Sequence, residues 1–360
     1  MAQGVQDRSD HDMAPTQRST PRRSRPAVTA ITALVAVLIT AAVSTACGRA
    51  SPPAGPPLHS VGQIPLPGDS SRFDYASLDA GRGLLFIAHL DASQVIEVDV
   101  HAHRVVRTIT NLSQVHGVLV VPEHHRLYAT TTGSNQMVAL DEDTGAELGR
   151  APTGNYPDGL AYDPPHDTVW TTNESGGSET VIDAATYQVR GTVALSGEAG
   201  NVAYDPVSRR MLVDVQSRNS LAVIDPAALT IVRQVPLPGC QHDHGLALDP
   251  VDQLAFVACD GNAMLLAVDL NTWQVTGSHA VGADPDVLAY DPAAHRLYVA
   301  AESGDVTTLD NHNRQLTVIS REHVGDDAHV VAVDPTTGHS YYPLPTGPSG
   351  GPTLLEKATP

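Results

Sequence analysis

Pro157-Asp158-Gly159-Leu160-Ala161-Tyr162-Asp163-Pro164 ends in an Asp-Pro turn, and its last six residues follow a pattern of small or polar, apolar, Ala, apolar, Asp-Pro that recurs along the chain. Copies run from Asn201 to Pro206, Gly245 to Pro250, Val287 to Pro292 and Val330 to Pro335. Two degenerate copies, Tyr75 to Ala80 and Gly117 to Pro122, fall in phase. The aligned positions are Asp79, Val121, Asp163, Asp205, Asp249, Asp291 and Asp334, spaced by 42, 42, 42, 44, 42 and 43 residues. A period of this length marks a repeat architecture, in which length alone says little about domain number.

Each period has the same internal order. The Asp-Pro turn leads to an apolar strand such as Arg296 to Ala300, then to a Gly/Ser/Asn loop and a strand ending in Asp, such as Leu221 to Asp225. That second Asp recurs at 99, 141, 183, 225, 269 and 310, and a fourth segment such as Val232 to Gly239 completes the unit. Four short strands per period of about 42 residues is the blade of a β-propeller. The predicted fold is therefore all-β: a seven-bladed propeller of four-stranded blades. Its 29 Gly and 27 Pro against 4% aromatic residues agree with many turns and short strands.

Ser60 to Gly68 closely matches the fourth strand at Ile231 to Gly239, yet it precedes the first repeat, while the seventh repeat runs out near Thr353 to Glu356. The N-terminal strand is thus predicted to complete the last blade, leaving no open sheet edge. The propeller would span residues 59–358.

The N-terminus differs in kind. Arg22, Arg23 and Arg25 precede an uncharged apolar run from Ala27 to Ala46, the order of a secretion signal. An uncleaved membrane anchor is the rival reading of residues 1–46. Ser44-Thr45-Ala46-Cys47-Gly48 resembles a bacterial lipoprotein cleavage box, with Ser44 where Leu is usual, which makes Cys47 a candidate lipidation site. Residues 47–58, rich in Pro, Gly, Ser and Ala, read as a flexible tether. All these readings place the propeller outside the cytoplasm, in the cell envelope, held to the outer face of the membrane only by lipid or N-terminal anchor.

The whole chain carries a net charge of −19, and removing residues 1–46 takes away five Arg and three Asp, leaving −21. So acidic a surface repels nucleic acid and suits cationic ligands or metal ions. Neither a Gly-rich phosphate loop nor a Gly-x-Ser-x-Gly elbow is present, so no nucleotide cofactor and no Ser nucleophile is expected.

The chain is similar to the YVTN-type, YncE-like bacterial seven-bladed propellers over residues 57–358. Phe73 to Asp79, Val115 to Val118, Pro157 to Pro164 and Arg296 to Ala300 carry the resemblance. It implies architecture, an envelope setting and a binding role, and it implies no reaction.

In a propeller the first strand of each blade lines the central channel. Five positions before each aligned residue stand Asp74, His116, Asp158, Gly200, His244, Asp286 and His329. Three imidazoles and three carboxylates at one channel mouth are candidate ligands for a divalent metal ion, with Ca, Mg and Zn not distinguished. The bland alternative is a polar, water-filled mouth whose Asp residues cap turns. The resemblance implies that Asp74, His116, Asp158 and Asp286 occupy familiar motif positions, whereas His244 and His329 depart from the Thr or Arg expected there. His242 and His244 would project to one side if both lie on a strand. Asn173, Glu174, Asp260 and Glu302 are candidates for a second tier.

Cys240 and Cys259 flank the hairpin whose turn is Pro250 to Gln253 and should face each other as a disulfide, with a thiolate metal site as the disfavoured alternative in an oxidising compartment. The leading expectation is a monomeric, non-catalytic binding or scaffold propeller that presents its mouth to a small molecule, metal ion or protein. The alternative is a metal-dependent hydrolase or lyase, by analogy of fold with gluconolactonase-like and streptogramin-lyase propellers, with His116, His244 or His329 as base.

Overall fold

The computed structural model describes residues 57–359. The leader, Cys47 and the tether up to residue 56 lie outside the described residues. Seven four-stranded antiparallel sheets follow one another along the chain. In the blade of the opening motif the strands are Pro157–Asp163, Thr168–Asn173, Ser178–Asp183 and Val189–Ala194, in that spatial order. The seventh sheet closes as expected: His59–Pro65 pairs with Thr353–Ala358, which follows His339–Leu344 and Ala332–Asp334. Glu322 of the sixth blade pins the seam, accepting the Leu58 backbone N–H at 2.7 Å and pairing with Lys357 Nζ at 3.0 Å.

The repeated Asp has a mechanical reason. Its carboxylate accepts backbone N–H groups of the turn that follows: Asp205 from Val207 and Ser208, Asp249 from Val251 and Asp252, Asp291 from Ala293 and Ala294. This is the side-chain mimic of a turn that makes Asp a favoured hairpin residue. Four positions after each aligned residue the chain crosses into the left-handed region, at Gly83, His125, Asp167, Arg209, Gln253, His295 and Gly338. Only two of these seven are Gly, so the motif is legible through its Asp and hidden at its strained residue. At Val121, where the Asp is missing, and at Asp163, whose carboxylate meets His166 Nδ1 at 2.7 Å and caps no backbone N–H, the turn is a 3-10 helix, over Pro122–His124 and Pro164–His166.

The middle strands are buried on both faces because each blade packs between two others. Trp170, Tyr128, Phe86, Phe256 and Tyr298 are buried between blades and fill the wedge.

Candidate functional site

Five first strands carry a β-bulge at the same place, between Val115 and Val118, Pro157 and Leu160, Ala199 and Val202, Asp243 and Leu246, and Pro285 and Leu288. A bulge re-aims a side chain and bends the strand. Its residues are His116, Asp158, Gly200, His244 and Asp286, five of the seven positions read from the repeat. Asp74 and His329 precede their strands, which start at Ala76 and Ala332. Neighbouring first strands approach closely: a Cβ on Gly117 would lie 2.3 Å from the Asp158 carbonyl oxygen. Thr130 Oγ1 fills the gap by donating to that same oxygen at 2.6 Å and accepting from Gly117 N–H at 2.7 Å.

The result is a cavity of about 450 Å³ whose walls include Asp74, His116, Asp158, His244 and Asp286 together with Glu174, Asp260 and Glu302. Across it, His244 Nε2 stands 3.2 Å from Asp286 Oδ1, and His116 Nε2 stands 3.5 Å from Asp74 Oδ2. His329 does not line the cavity. It is fully buried behind Asp286, with Nε2 4.0 Å from Asp286 Oδ2 and Nδ1 held by Asp327 Oδ1 at 3.0 Å.

The charges sort themselves by partner. Burial pushes Asp74 up to about 7, with Asp286 adding to the rise. Burial also raises Asp158 well above the usual carboxylate range, with Asp74 next. For Asp286 burial works the same way, yet the hydrogen bond from His244 and the nearby cations hold it down to about 2. Burial disfavours the His244 cation, but its hydrogen bond to Asp286 and the surrounding carboxylates raise it to about 10. His329, buried too, is raised to about 9 by its bond to Asp327 and the charge of Asp286. His116 goes the other way: burial lowers it to about 4, aided by Arg72. The three imidazoles are therefore not equivalent, and only His116 is neutral at pH 7.

Some expectations are corrected. Asn173 is no second-tier residue: it is buried in its own blade, donating to Ser178 O and Thr180 Oγ1 and accepting from Gly154 N–H. Its position at the end of a strand, opposite Ser178, turns it inward. Glu174, Asp260 and Glu302 do reach the cavity. His242 and His244 both line it, but not as strand neighbours, since His242 has φ 61° and lies before the strand Asp243–Asp249. Asp260 holds His242 Nδ1 at 2.9 Å. Cys240 and Cys259 are bonded, with Cα atoms 5.4 Å apart. Cys240 lies outside the paired strands, however, and the residue opposite Cys259 is Asp243. The bond ties down the loop that delivers His242.

Arg72, Tyr75, Tyr156, Gln216, Asp284 and Asp327 were not read from the sequence. Arg72 brings a guanidinium among these carboxylates: it forks onto Glu302 at 3.0 and 2.7 Å and stands 3.7 Å from Asp286. Apart from Tyr75, which opens the degenerate copy Tyr75 to Ala80, these residues lie outside the recurring motif, so periodicity does not point to them. Arg72, next to the opening of the first repeat in a strongly acidic chain, is the one with a signal in sequence.

The geometry defines a seven-bladed propeller with one polar, charge-dense mouth. Solved structures with this architecture include hydrazine synthase of Kuenenia stuttgartiensis, at TM-score 0.66 and 15% identity, over 74% of this chain and 91% of that one. A mitotic checkpoint complex also matches, at TM-score 0.71 and 11% identity, over 91% and 99%. At such identities the likeness concerns fold alone. No family model matches the chain, and no curated protein does.

Proposed function

We propose that this chain is an envelope binding propeller, akin to the YncE-like propellers, that holds a small polar ligand rich in hydrogen-bond donors in its mouth cavity. One observation carries the reading. Asp158 lines the cavity, is buried, and its Oδ1 has no hydrogen-bond partner. A buried orphan acceptor costs about 1–3 kcal/mol, which a donor from a ligand would recover. Glu174, Asp260 and Asp284 around the same cavity favour a ligand bearing amine or hydroxyl groups. Placement in the envelope is supported by the apolar run before Cys47 and by the Cys240–Cys259 bond.

The test is thermal unfolding of the full chain against a panel of small amines, amino sugars and polyols. A ligand at about 100 times its Kd stabilises by about 2.7 kcal/mol. The expected result is a stabilising ligand whose effect is lost in Asp158→Asn. A panel without effect, or an effect untouched by that substitution, would reject the reading.

A second reading, the metal-dependent hydrolase or lyase, draws on His116. Thr132 Oγ1 holds its Nδ1 at 2.7 Å, so the neutral ring aims the Nε2 lone pair toward Tyr156 and Asp74 at the cavity wall. That is the arrangement of a general base, which His244 and His329, as cations, do not offer. Turnover of a lactone or ester panel, abolished in His116→Ala, would favour this reading over simple binding.

A further inference from the structure

We propose that Asp74, Asp286 and His329 bind one divalent first-row transition ion at the base of the mouth cavity. The proposal deepens the reading of the mouth as a ligand site and rests on it, by naming the inorganic part of what the mouth holds. One ligand atom from each residue lies within 4.8 Å of the others, and all three residues are buried. Bonds of about 2.1 Å to one ion would bring such atoms to about 3 Å apart, a closure of an ångström or so that side-chain torsions supply.

The independent observation is His329. Its Nε2 is buried without a hydrogen-bond partner and faces Asp286 Oδ2 at 4.0 Å. Its Nδ1 is held by the Asp327 carboxylate at 3.0 Å and lies 3.1 Å from the Asp327 carbonyl oxygen. An imidazole whose outer nitrogen is fixed by a carboxylate while the inner one has no partner is oriented as metal-ligating histidines are, and an ion bound there would displace the Nε2 proton. Asp286 is held on one side too, with Oδ1 ion-paired to His244 Nε2 at 3.2 Å and Oδ2 facing the cluster. Arg72, the guanidinium beside the cluster, is drawn aside by its two bonds to Glu302, and at 3.7 Å it makes no hydrogen bond to Asp286.

Two carboxylates and one imidazole form a mixed oxygen and nitrogen set. Calcium and magnesium prefer all-oxygen sites, whereas manganese, iron, cobalt and zinc accept the mixture. Three protein ligands leave coordination positions open, and Asp74 and Asp286 both line the cavity. The organic ligand is thereby a chelator, giving its own oxygen or nitrogen atoms to the ion. A second cluster, Asp249 with Asp252 and His295, lacks this preparation, because Asp249 already accepts from Tyr290, Asn311 and two backbone N–H groups.

The full chain, stripped with a chelator, is titrated with Zn²⁺ alone and with Mn²⁺ alone by calorimetry, with the unfolding temperature as a second readout. One ion per chain and a rise in that temperature are expected, with affinity lost in Asp74→Asn and weakened about 10- to 100-fold in Asp327→Asn. Asp327 is partly exposed, so its variant keeps the fold where a His329 variant would not be a fair test. His295→Ala, in the second cluster away from the mouth, should stay within about twofold of the parent. Failure to bind either ion, or equal weakening in Asp327→Asn and His295→Ala, overturns the proposal. If ions fail while the amine and polyol panel still stabilises the parent but not Asp158→Asn, the metal site falls and the cavity reading stands. If one ion binds with the expected variant pattern and the panel has no effect, the donor-rich ligand falls instead.

Discussion

His244 reaches across the mouth to place Nε2 3.2 Å from Asp286 Oδ1, and the residue beside it, Gly245, passes so close that a Cβ there would lie 2.0 Å from the Asp286 carbonyl oxygen. The fifth and sixth blades are thus joined at one residue by a charge pair and by bare backbone contact. Removing one partner of a buried pair leaves the other uncompensated, so His244→Ala should cost about 3–5 kcal/mol in urea unfolding. Gly245→Ala should cost about 1–3 kcal/mol by overpacking. A loss under 1 kcal/mol in both would mean that this seam does not hold the ring.

Asp214 occupies in the fourth blade the strand position of Thr130 and Thr172 in the two blades before it. Thr130 bonds both neighbouring first strands, but both Asp214 carboxylate oxygens are buried without a partner. Burial raises its pKa well above 3.8, and Asp243 adds to the rise. The native state therefore holds a proton that the unfolded chain releases, so this group's contribution is complete below pH 3.8 and declines as pH rises through the raised value. Asp214→Asn and Asp214→Thr are expected to be more stable than the parent by about 2 kcal/mol at pH 8, with a flatter pH profile. Parallel profiles for parent and Asn variant would contradict this.

Gly83 and Gly338 close equivalent hairpins with φ 66° and 72°. A Cβ at Gly338 would touch nothing within 4 Å, whereas one at Gly83 would sit 2.4 Å from His101 Nδ1. Gly338→Ala isolates backbone strain and should cost about 1–2 kcal/mol. Gly83→Ala should cost more, until His101→Ala removes the clash. Calorimetric scans of the three variants separate the two effects.

The Cys240–Cys259 bond closes a loop of 19 residues' separation. By chain entropy that is worth about 3 kcal/mol. Reduction, or a Cys259→Ala variant, should lower the unfolding midpoint accordingly, and should weaken ligand binding at the mouth because His242 loses its tether. Unchanged binding after reduction would show that the Asp260 contact alone positions His242.

The repeat made the architecture readable because its Asp performs one local task, capping a turn, in every blade but the second and third. The mouth was readable for a related reason: the bulges fall at a constant distance from the aligned position, so counting back found five of the polar side chains on the cavity wall, Asp74, His116, Asp158, His244 and Asp286. Counting could not say that His329 stands behind Asp286 or that His116 alone is neutral, since both depend on loop residues such as Asp327 and Thr132. Asn173 shows the opposite failure, a polar residue in a plausible place whose bonds all turn inward.

The ring strand begins and ends at neighbouring points, since His59 is paired with Ala358. Paired Cα atoms lie about 5 Å apart, a span that a few added residues could bridge. Val207, 60% exposed in a hairpin turn, offers a place for new termini. A circular permutant opened there would keep every strand pairing, with the closing seam moved from the seventh blade to the fourth. Which blade is synthesised first is thus a matter of gene order that the folded ring does not retain.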